Sequence, residues 1–410
     1  MNDQQIVPLP VPPPHRPSIL YRAKAFTVFV FMFLASYFGS IFMETIAFPL
    51  AFVAPRVFKR YVDTTIYMWF KLTEFLLVCV LDIRVRHFGD EWLDNTAQRK
   101  ANFLMVLNHR TRLDWMYTWL LGERLQSTKI VLKAVLGAIP GAGWAMNICS
   151  FIFLERKLNL DVPRIKQAAA YLTNVGERVE VFIFPEGTDL DHRAVNRNRD
   201  YALKNGKDVT QYTLHPRVSG TLLLLNQFIA DDSIQYVYDM TVAYPFHFPT
   251  HEPHVICGIL PREVHFFVRR YPIGDLPVRH NVKGKKELNR DEFTKWLDGV
   301  WKEKESMLEE YYRAAPEQRK FRGAEIPLKG AVYDWTTGER TLEGNCVFAY
   351  WAIMIPVMLS LICTSNLIFY YFCFANFLCV YIWYTKRSGI SAWIAGLAGY
   401  PIEMFDDKQA

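Results

Sequence analysis

The chain has no Asn-x-Ser/Thr sequon, no Cys-x-x-Cys and no Gly-x-Ser-x-Gly. The first absence leaves exposure to a glycosylating lumen without support. The second, with an odd total of seven cysteines, argues against both a disulfide framework and a zinc ribbon. Cys363, Cys373 and Cys379, for example, lie deep in apolar C-terminal runs, where cysteine behaves as a small hydrophobe. The third removes the strained nucleophile elbow of a lipase-like hydrolase. Long basic runs and zinc-finger spacings are missing too, so nucleic acid is not an expected partner, although the net charge is +6. That charge suits an anionic membrane surface or a phosphate-bearing substrate instead.

Two stretches lack charge altogether. Ala25 to Met43 is uncharged and matches the length of a bilayer-spanning helix, with Pro49 and Pro55 placed to bend or end it. Gly344 to Thr385 is uncharged as well, enough for two spans turning near Thr364-Ser365-Asn366. Basic residues flank both ends of this hairpin, which the positive-inside rule assigns to the cytosol. Thr64 to Ile83 is apolar but carries Lys71, Glu74 and Asp82. It is expected to be an amphipathic helix against the membrane, with a buried core helix as the alternative.

What is present in quantity is apolar and aromatic: 51% and 15% of 410 residues, with 21% charged and a mean hydropathy of +0.02. A soluble-like catalytic unit joined to membrane segments accounts for all of these. The expected order is a disordered Pro-rich tail (1–18), N-terminal membrane-associated helices (19–83) and a catalytic unit (84–315). A basic linker (316–343), the transmembrane hairpin (344–385) and a C-terminal tail (386–410) follow. In the catalytic unit, short apolar runs at Phe103–Leu107, Val179–Phe184, Met240–Tyr244 and Val264–Arg269 alternate with helical stretches such as Val162–Val175. The pattern implies an α/β fold with a mixed central sheet flanked by helices. Asn289, with Glu292 three residues on, caps a helix whose apolar face runs from Phe293 to Tyr311.

Two blocks carry chemistry. Asn108-His109-Arg110-Thr111-Arg112-Leu113-Asp114 sets a proton acceptor near a carboxylate. On one continuous helix, a five-residue offset would rotate the pair about 140° apart and about 7.5 Å along the axis. Contact therefore requires a turn, with His109 at a strand end and Asp114 opening a helix. Asp114 would then orient the imidazole, leaving its other nitrogen to deprotonate a substrate hydroxyl. By itself this spacing is common, and a structural histidine would fit it. The second block, Phe184-Pro185-Glu186-Gly187-Thr188, follows an apolar strand and gives the local turn a definite shape. His247, His251, His254 and Cys257 invite a zinc site, but Pro249 and Pro253 break any shared helix face.

Together these blocks resemble the glycerolipid acyltransferase family, which includes 1-acylglycerol-3-phosphate acyltransferases. Phe151-Ile152-Phe153-Leu154-Glu155-Arg156 and Thr241-Val242-Ala243-Tyr244-Pro245 resemble two further family blocks in order and spacing. The likeness spans roughly residues 85–270. Pro140-Gly141-Ala142-Gly143-Trp144, the Asp189-Leu190 extension and Leu214-His215-Pro216-Arg217 look most like the lysocardiolipin acyltransferase branch. That branch implies reacylation of lysophosphatidylinositol, lysophosphatidylglycerol or lysocardiolipin in phospholipid remodelling, at the endoplasmic reticulum membrane.

The resemblance implies His109 as base and Asp114 as its orienter, with acyl-CoA as co-substrate. It implies substrate contacts from Arg156 (acceptor phosphate), Glu186, Gly187 and Thr188 (glycerol side) and Pro245 (acyl wall). No metal and no cofactor are expected, nor a protein partner. Asp189 departs from the family, where a basic residue usually follows Phe-Pro-Glu-Gly-Thr, which shifts phosphate binding toward Arg156, Arg110, Arg112 or Arg193. De novo 1-acylglycerol-3-phosphate acylation, a thioesterase or lipase, and a non-catalytic scaffold are the competing readings.

Overall fold

The computed structural model describes residues 17–90, 101–121, 127–175, 178–230, 232–282, 284–326, 332–334, 338–385 and 394. The Pro-rich and C-terminal tails therefore lie almost wholly outside the described residues. Largely apolar runs become central strands because parallel strands are covered on both faces. Strand β1 is Arg84–Gly89, β2 Phe103–Leu107, β3 Thr128–Lys133, β4 Ile152–Leu154 and β5 Glu180–Ile183. Strand β6 is Tyr236–Ala243, β7 Glu263–Pro272, β8 Val278–His280, β9 Lys286–Leu288 and β10 Glu325–Ile326. All but β8 and β9, which pair with each other, join one sheet in the order β10-β1-β7-β6-β2-β5-β3-β4.

The sheet is mixed. β6, β2, β5, β3 and β4 run parallel, β7 turns antiparallel to β6, and β1 runs parallel to β7. Helices Leu158–Val175, Val218–Ala230 and Arg290–Arg313 accompany it. Asn289 caps the last, its side chain accepting from the amides of Asp291 and Glu292 at 3.1 Å each. That helix buries Phe293, Leu297, Val300, Trp301, Leu308 and Tyr311 and, unforeseen in the apolar stripe, Lys304.

Among the described residues, three helices are long and apolar enough to cross a bilayer: Ile19–Ala47, Leu342–Thr364 and Asn366–Thr385. The last two form the expected hairpin around Ser365. The first is 44% buried over its most apolar window, against 17% for each hairpin helix, so it packs on the catalytic unit along much of its length. Its start is tied down where the Tyr21 hydroxyl donates to the Leu81 carbonyl at 3.0 Å. Its end is tied where Tyr61 donates to the Met43 carbonyl at 3.1 Å.

Two segments differ from expectation. Thr64–Ile83 packs largely into the protein, as in the core-helix alternative. It belongs to the helix Pro55–Phe75 and the π-turn Leu76–Val80, with residues 70–78 buried. Two of the three charges that made it look amphipathic are used inside, while Asp82 stays exposed. Lys71 pairs with Glu74 at 2.9 Å, and Glu74 also accepts the Val332 amide at 3.0 Å. Nor is 316–343 merely a linker. Within it, β10 adds an edge strand to β1, Phe321 is buried beside Phe88 and Tyr311, and Arg319 donates to the Pro245 carbonyl at 2.6 Å.

Candidate active site

Three neighbouring parallel strands, β6, β2 and β5, release the signature blocks at their carboxyl ends. Ligands of open α/β sheets bind along that edge. From β2 come Asn108 and His109, from β5 Phe184 to Gly187, and from β6 Tyr244 and Pro245. Arg156 follows β4 on the same edge. Asn108 fixes the register of this rim: its amide nitrogen donates to the Val242 carbonyl at 3.1 Å, and its oxygen accepts the Val242 amide at 2.8 Å.

The chain turns between His109 and Asp114 as contact requires, with Asp114 opening the short helix Asp114–Tyr117. His109 Nδ1 lies 2.9 Å from Asp114 Oδ2, which also accepts the Thr111 amide at 3.0 Å. The other carboxylate oxygen accepts the Tyr244 hydroxyl at 2.6 Å. Asp114 is thus fully buried and held by three donors. Burial, with the Asp114 charge added, drives the Tyr244 phenol well up, so it stays a proton-bearing donor. The His109 ring rests against Phe184, centroids 4.4 Å apart, and keeps 15% side-chain exposure. With Nδ1 engaged, Nε2 is the nitrogen left for a ligand.

Glu186 sits differently from the expected glycerol contact. Its carboxyl is turned inward and buried, accepting from Trp301 Nε1 at 3.2 Å. Burial raises it to about 8, although the Leu214 and His109 amides and Lys304 favour the anion. Its Oε2 makes no well-formed hydrogen bond. From there Glu186 supports the His109 backbone, and reaches a ligand only through it. Pro245 is likewise buried, its carbonyl engaged by Arg319, so it lies behind Tyr244. Thr188 donates to the Asp189 carboxylate at 3.4 Å.

Gly187 has φ +72°, and a Cβ there would meet the Arg217 side chain at 3.3 Å. Arg217 therefore lies directly over the turn, held by its amide on the Pro185 carbonyl at 2.8 Å. Arg156 is close enough that burial and the Arg217 charge lower its guanidinium, with Asp189 opposing. Arg156 also adopts φ +61°, a left-handed conformation rare outside glycine. Asp161 enforces it, accepting the amides of Glu155 at 2.8 Å and Lys157 at 2.9 Å on either side. Two guanidinium groups thus flank the Gly187 turn.

The other candidate arginines are engaged differently. Arg110 is buried, donating to the Tyr212 carbonyl at 3.0 Å and stacking on Phe248 and Tyr312. Arg112 lies near Asp189 and Glu252, and Arg193 is exposed on its helix. Arg217 and Tyr244 had gone without a role in the sequence. The available signal was their position inside blocks already singled out. Among the described residues no three His, Cys, Asp or Glu side chains group as a metal site, though the His251 and His254 rings stack at 5.6 Å.

Known proteins resemble this chain over much of its length. Residues 91–243 match the acyltransferase family model and 254–331 the acyltransferase C-terminus model. Lysocardiolipin acyltransferase 1 of Danio rerio is 32% identical over 85% of this chain and 90% of its own length. Lysophosphatidylinositol acyltransferase 10 of Caenorhabditis elegans is 35% identical over 63% of each chain. Among solved structures, the 1-acyl-sn-glycerophosphate acyltransferase PlsC of Thermotoga maritima matches with a TM-score of 0.42 and 15% identity, covering 70% of this chain and 98% of that one.

Fold, blocks and relatives define a membrane-bound acyltransferase. The chain belongs to the glycerolipid acyltransferase family, in the branch of the lysocardiolipin and lysophosphatidylinositol acyltransferases.

Proposed function

We propose that the protein moves a fatty acyl group from acyl-CoA to the free hydroxyl of a lysophospholipid: lysophosphatidylinositol, lysophosphatidylglycerol or lysocardiolipin. The observation carrying this reading is the His109–Asp114 pair at the rim, one nitrogen fixed and the other facing out. Nε2 takes the hydroxyl proton as the oxygen attacks the thioester carbon. The tetrahedral intermediate collapses, the C–S bond breaks, and His109 returns the proton to the leaving thiolate. Thiolate leaves readily, so the chemistry asks for no metal and no cofactor.

Arg156 and Arg217, flanking Gly187, are the cations suited to the acceptor's phosphate, and Arg217 supplies the charge that Asp189 withholds. A narrow apolar slot of about 40 Å³, bordered by Met43, Trp69, Trp115, Trp119 and Trp351, starts one residue beyond Asp114 and runs against the first helix. A slot that size admits only a methylene or two of a hydrocarbon tail, worth about 0.8 kcal/mol each. The endoplasmic reticulum membrane, with the catalytic unit on the cytosolic side, fits the hairpin's basic flanks and the supply of acyl-CoA.

The test is a panel of lysophospholipids and acyl-CoAs with membrane-purified protein. His109→Ala should remain in the membrane fraction and lose transfer by about 10³-fold or more. Arg156→Ala and Arg217→Ala should each raise the acceptor KM by roughly tenfold, with the donor KM unchanged. Full transfer by His109→Ala would remove the base. Preferred turnover of 1-acylglycerol-3-phosphate would move the assignment to de novo synthesis.

A further inference from the structure

A second cavity lies on the same edge of the sheet. Because β7 is antiparallel to β6 and parallel to β1, the amino ends of β1 and β7 sit beside the carboxyl ends of β6 and β2. There a cavity of about 690 Å³ is lined by Arg84, Arg262, Arg340, Phe246 and Tyr333, and also by the acids Asp82 and Glu263. With strands spaced about 4.8 Å apart, Arg262 and Arg84 stand two and three strands from His109, roughly 10–15 Å along the edge.

One loop joins the two places. Leaving β6, Tyr244 holds Asp114, Phe246 lines the cavity, Phe248 stacks on Tyr244 at 4.6 Å, and the Pro249 carbonyl accepts the Thr111 hydroxyl at 2.5 Å. The two lining acids have partners of their own: Asp82 pairs with Lys24 at 3.3 Å and Glu263 with His265 at 2.9 Å. Arg262 lies over the Phe246 ring at 5.9 Å and Arg340 over Phe75 at 5.4 Å. Among the described residues neither forms an ion pair within 4 Å. Guanidinium groups poised in this way suit phosphate esters, and the flanking rings suit a base.

We propose that this cavity holds the phosphorylated nucleotide end of the acyl donor, the adenosine 3′,5′-bisphosphate portion of CoA, while the pantetheine arm runs along the strand ends to bring the thioester to His109. This deepens the reading of an acyl-CoA-dependent transferase and rests on it. A phosphate-bearing lipid headgroup shares the recognition chemistry, and Arg340 stands two residues before the hairpin helix at Leu342, so the test separates the two sources.

Full-length protein in mixed micelles is assayed with oleoyl-CoA and with oleoyl-pantetheine, the same thioester without the nucleotide. Arg262→Gln and Arg340→Gln should each reduce the wild-type preference for the CoA thioester by roughly tenfold, with partial recovery in Arg262→Lys. An unchanged preference overturns the proposal. So does a loss that appears in the KM for lysophospholipid instead, which would assign the cavity to a lipid headgroup. Should wild-type protein use no CoA thioester at all, the functional reading fails first. Equilibrium binding of adenosine 3′,5′-bisphosphate then decides the cavity. Binding by wild type that is lost in the double variant sustains it, and no binding ends it.

Discussion

Asp114 and Asp239 are both 0% exposed and both lie on or beside the central strands, yet they are built to opposite ends. Asp114 faces a histidine that touches solvent, a phenol and an amide, an arrangement in which one partner can gain and release a proton. Asp239 faces two fixed cations, Arg269 at 2.6 Å and the fully buried Lys304, which also donates to the Met240 carbonyl at 2.6 Å. Burial pulls the Lys304 ammonium down while Asp239 opposes the shift. A buried carboxylate is therefore not by itself a sign of chemistry. What decides is whether its partner can change charge and reach a ligand.

The comparison breaks or stands on a pair of isosteric changes. Asp114→Asn should cut transfer by about 10³–10⁴-fold, as expected when the orienter of a catalytic histidine is neutralised. Its thermal midpoint in detergent should move little. Asp239→Asn should do the reverse, leaving two buried or half-buried cations short of a partner and costing about 3–5 kcal/mol of stability. The folded fraction should keep its specific activity. Equal loss of activity in both variants at matched folding would erase the distinction.

A smaller effect sharpens it on the Asp114 side. Tyr244→Phe removes one donor to the carboxylate, and a hydrogen bond to a charged group is worth about 1.5–3 kcal/mol. We expect kcat to fall about tenfold with both KM values held. A change confined to KM would mean that Tyr244 touches substrate.

The smallest effect concerns Glu186, which resembles Asp239 in burial but stands under the dyad. Its folded value of about 8 exceeds the ordinary 4.5, so the folded state binds its proton more tightly. Its contribution to stability is full below about pH 4.5 and fades as pH rises through about 8. Glu186→Gln should flatten the decline of the thermal midpoint across that window. An unaltered decline would show that another group drives it.

Much of the framework was legible in the residues themselves. Short, mostly apolar runs marked β2, β5 and β7, Asn289 marked its cap, and the charge-free stretch marked the hairpin. What stayed hidden depends on contacts far apart in the chain. The charges of Lys71 and Glu74 look solvated until they are seen paired beneath Val332. Residues 325–326 look like linker until β1 offers them an edge. The site shows the same limit. The distance between His109 and Asp114 follows from a short local turn, whereas the inward aim of Glu186 depends on Trp301, and the place of Arg217 over Gly187 depends on the fold between residues 185 and 217. Local spacing carried the dyad. Its supports came from distant elements.

The placement of β1 has a consequence in time. It is translated directly after the membrane-docked helices, but its only sheet neighbours are β7 and β10, and β7 arrives roughly 180 residues later. Over that stretch of synthesis β1 waits unpaired beside a hydrophobic segment already seeking the bilayer, a state prone to wrong association. Closing the outer half of the sheet is therefore a late event, and truncation before residue 263 should leave a ribosome product that inserts but never matures.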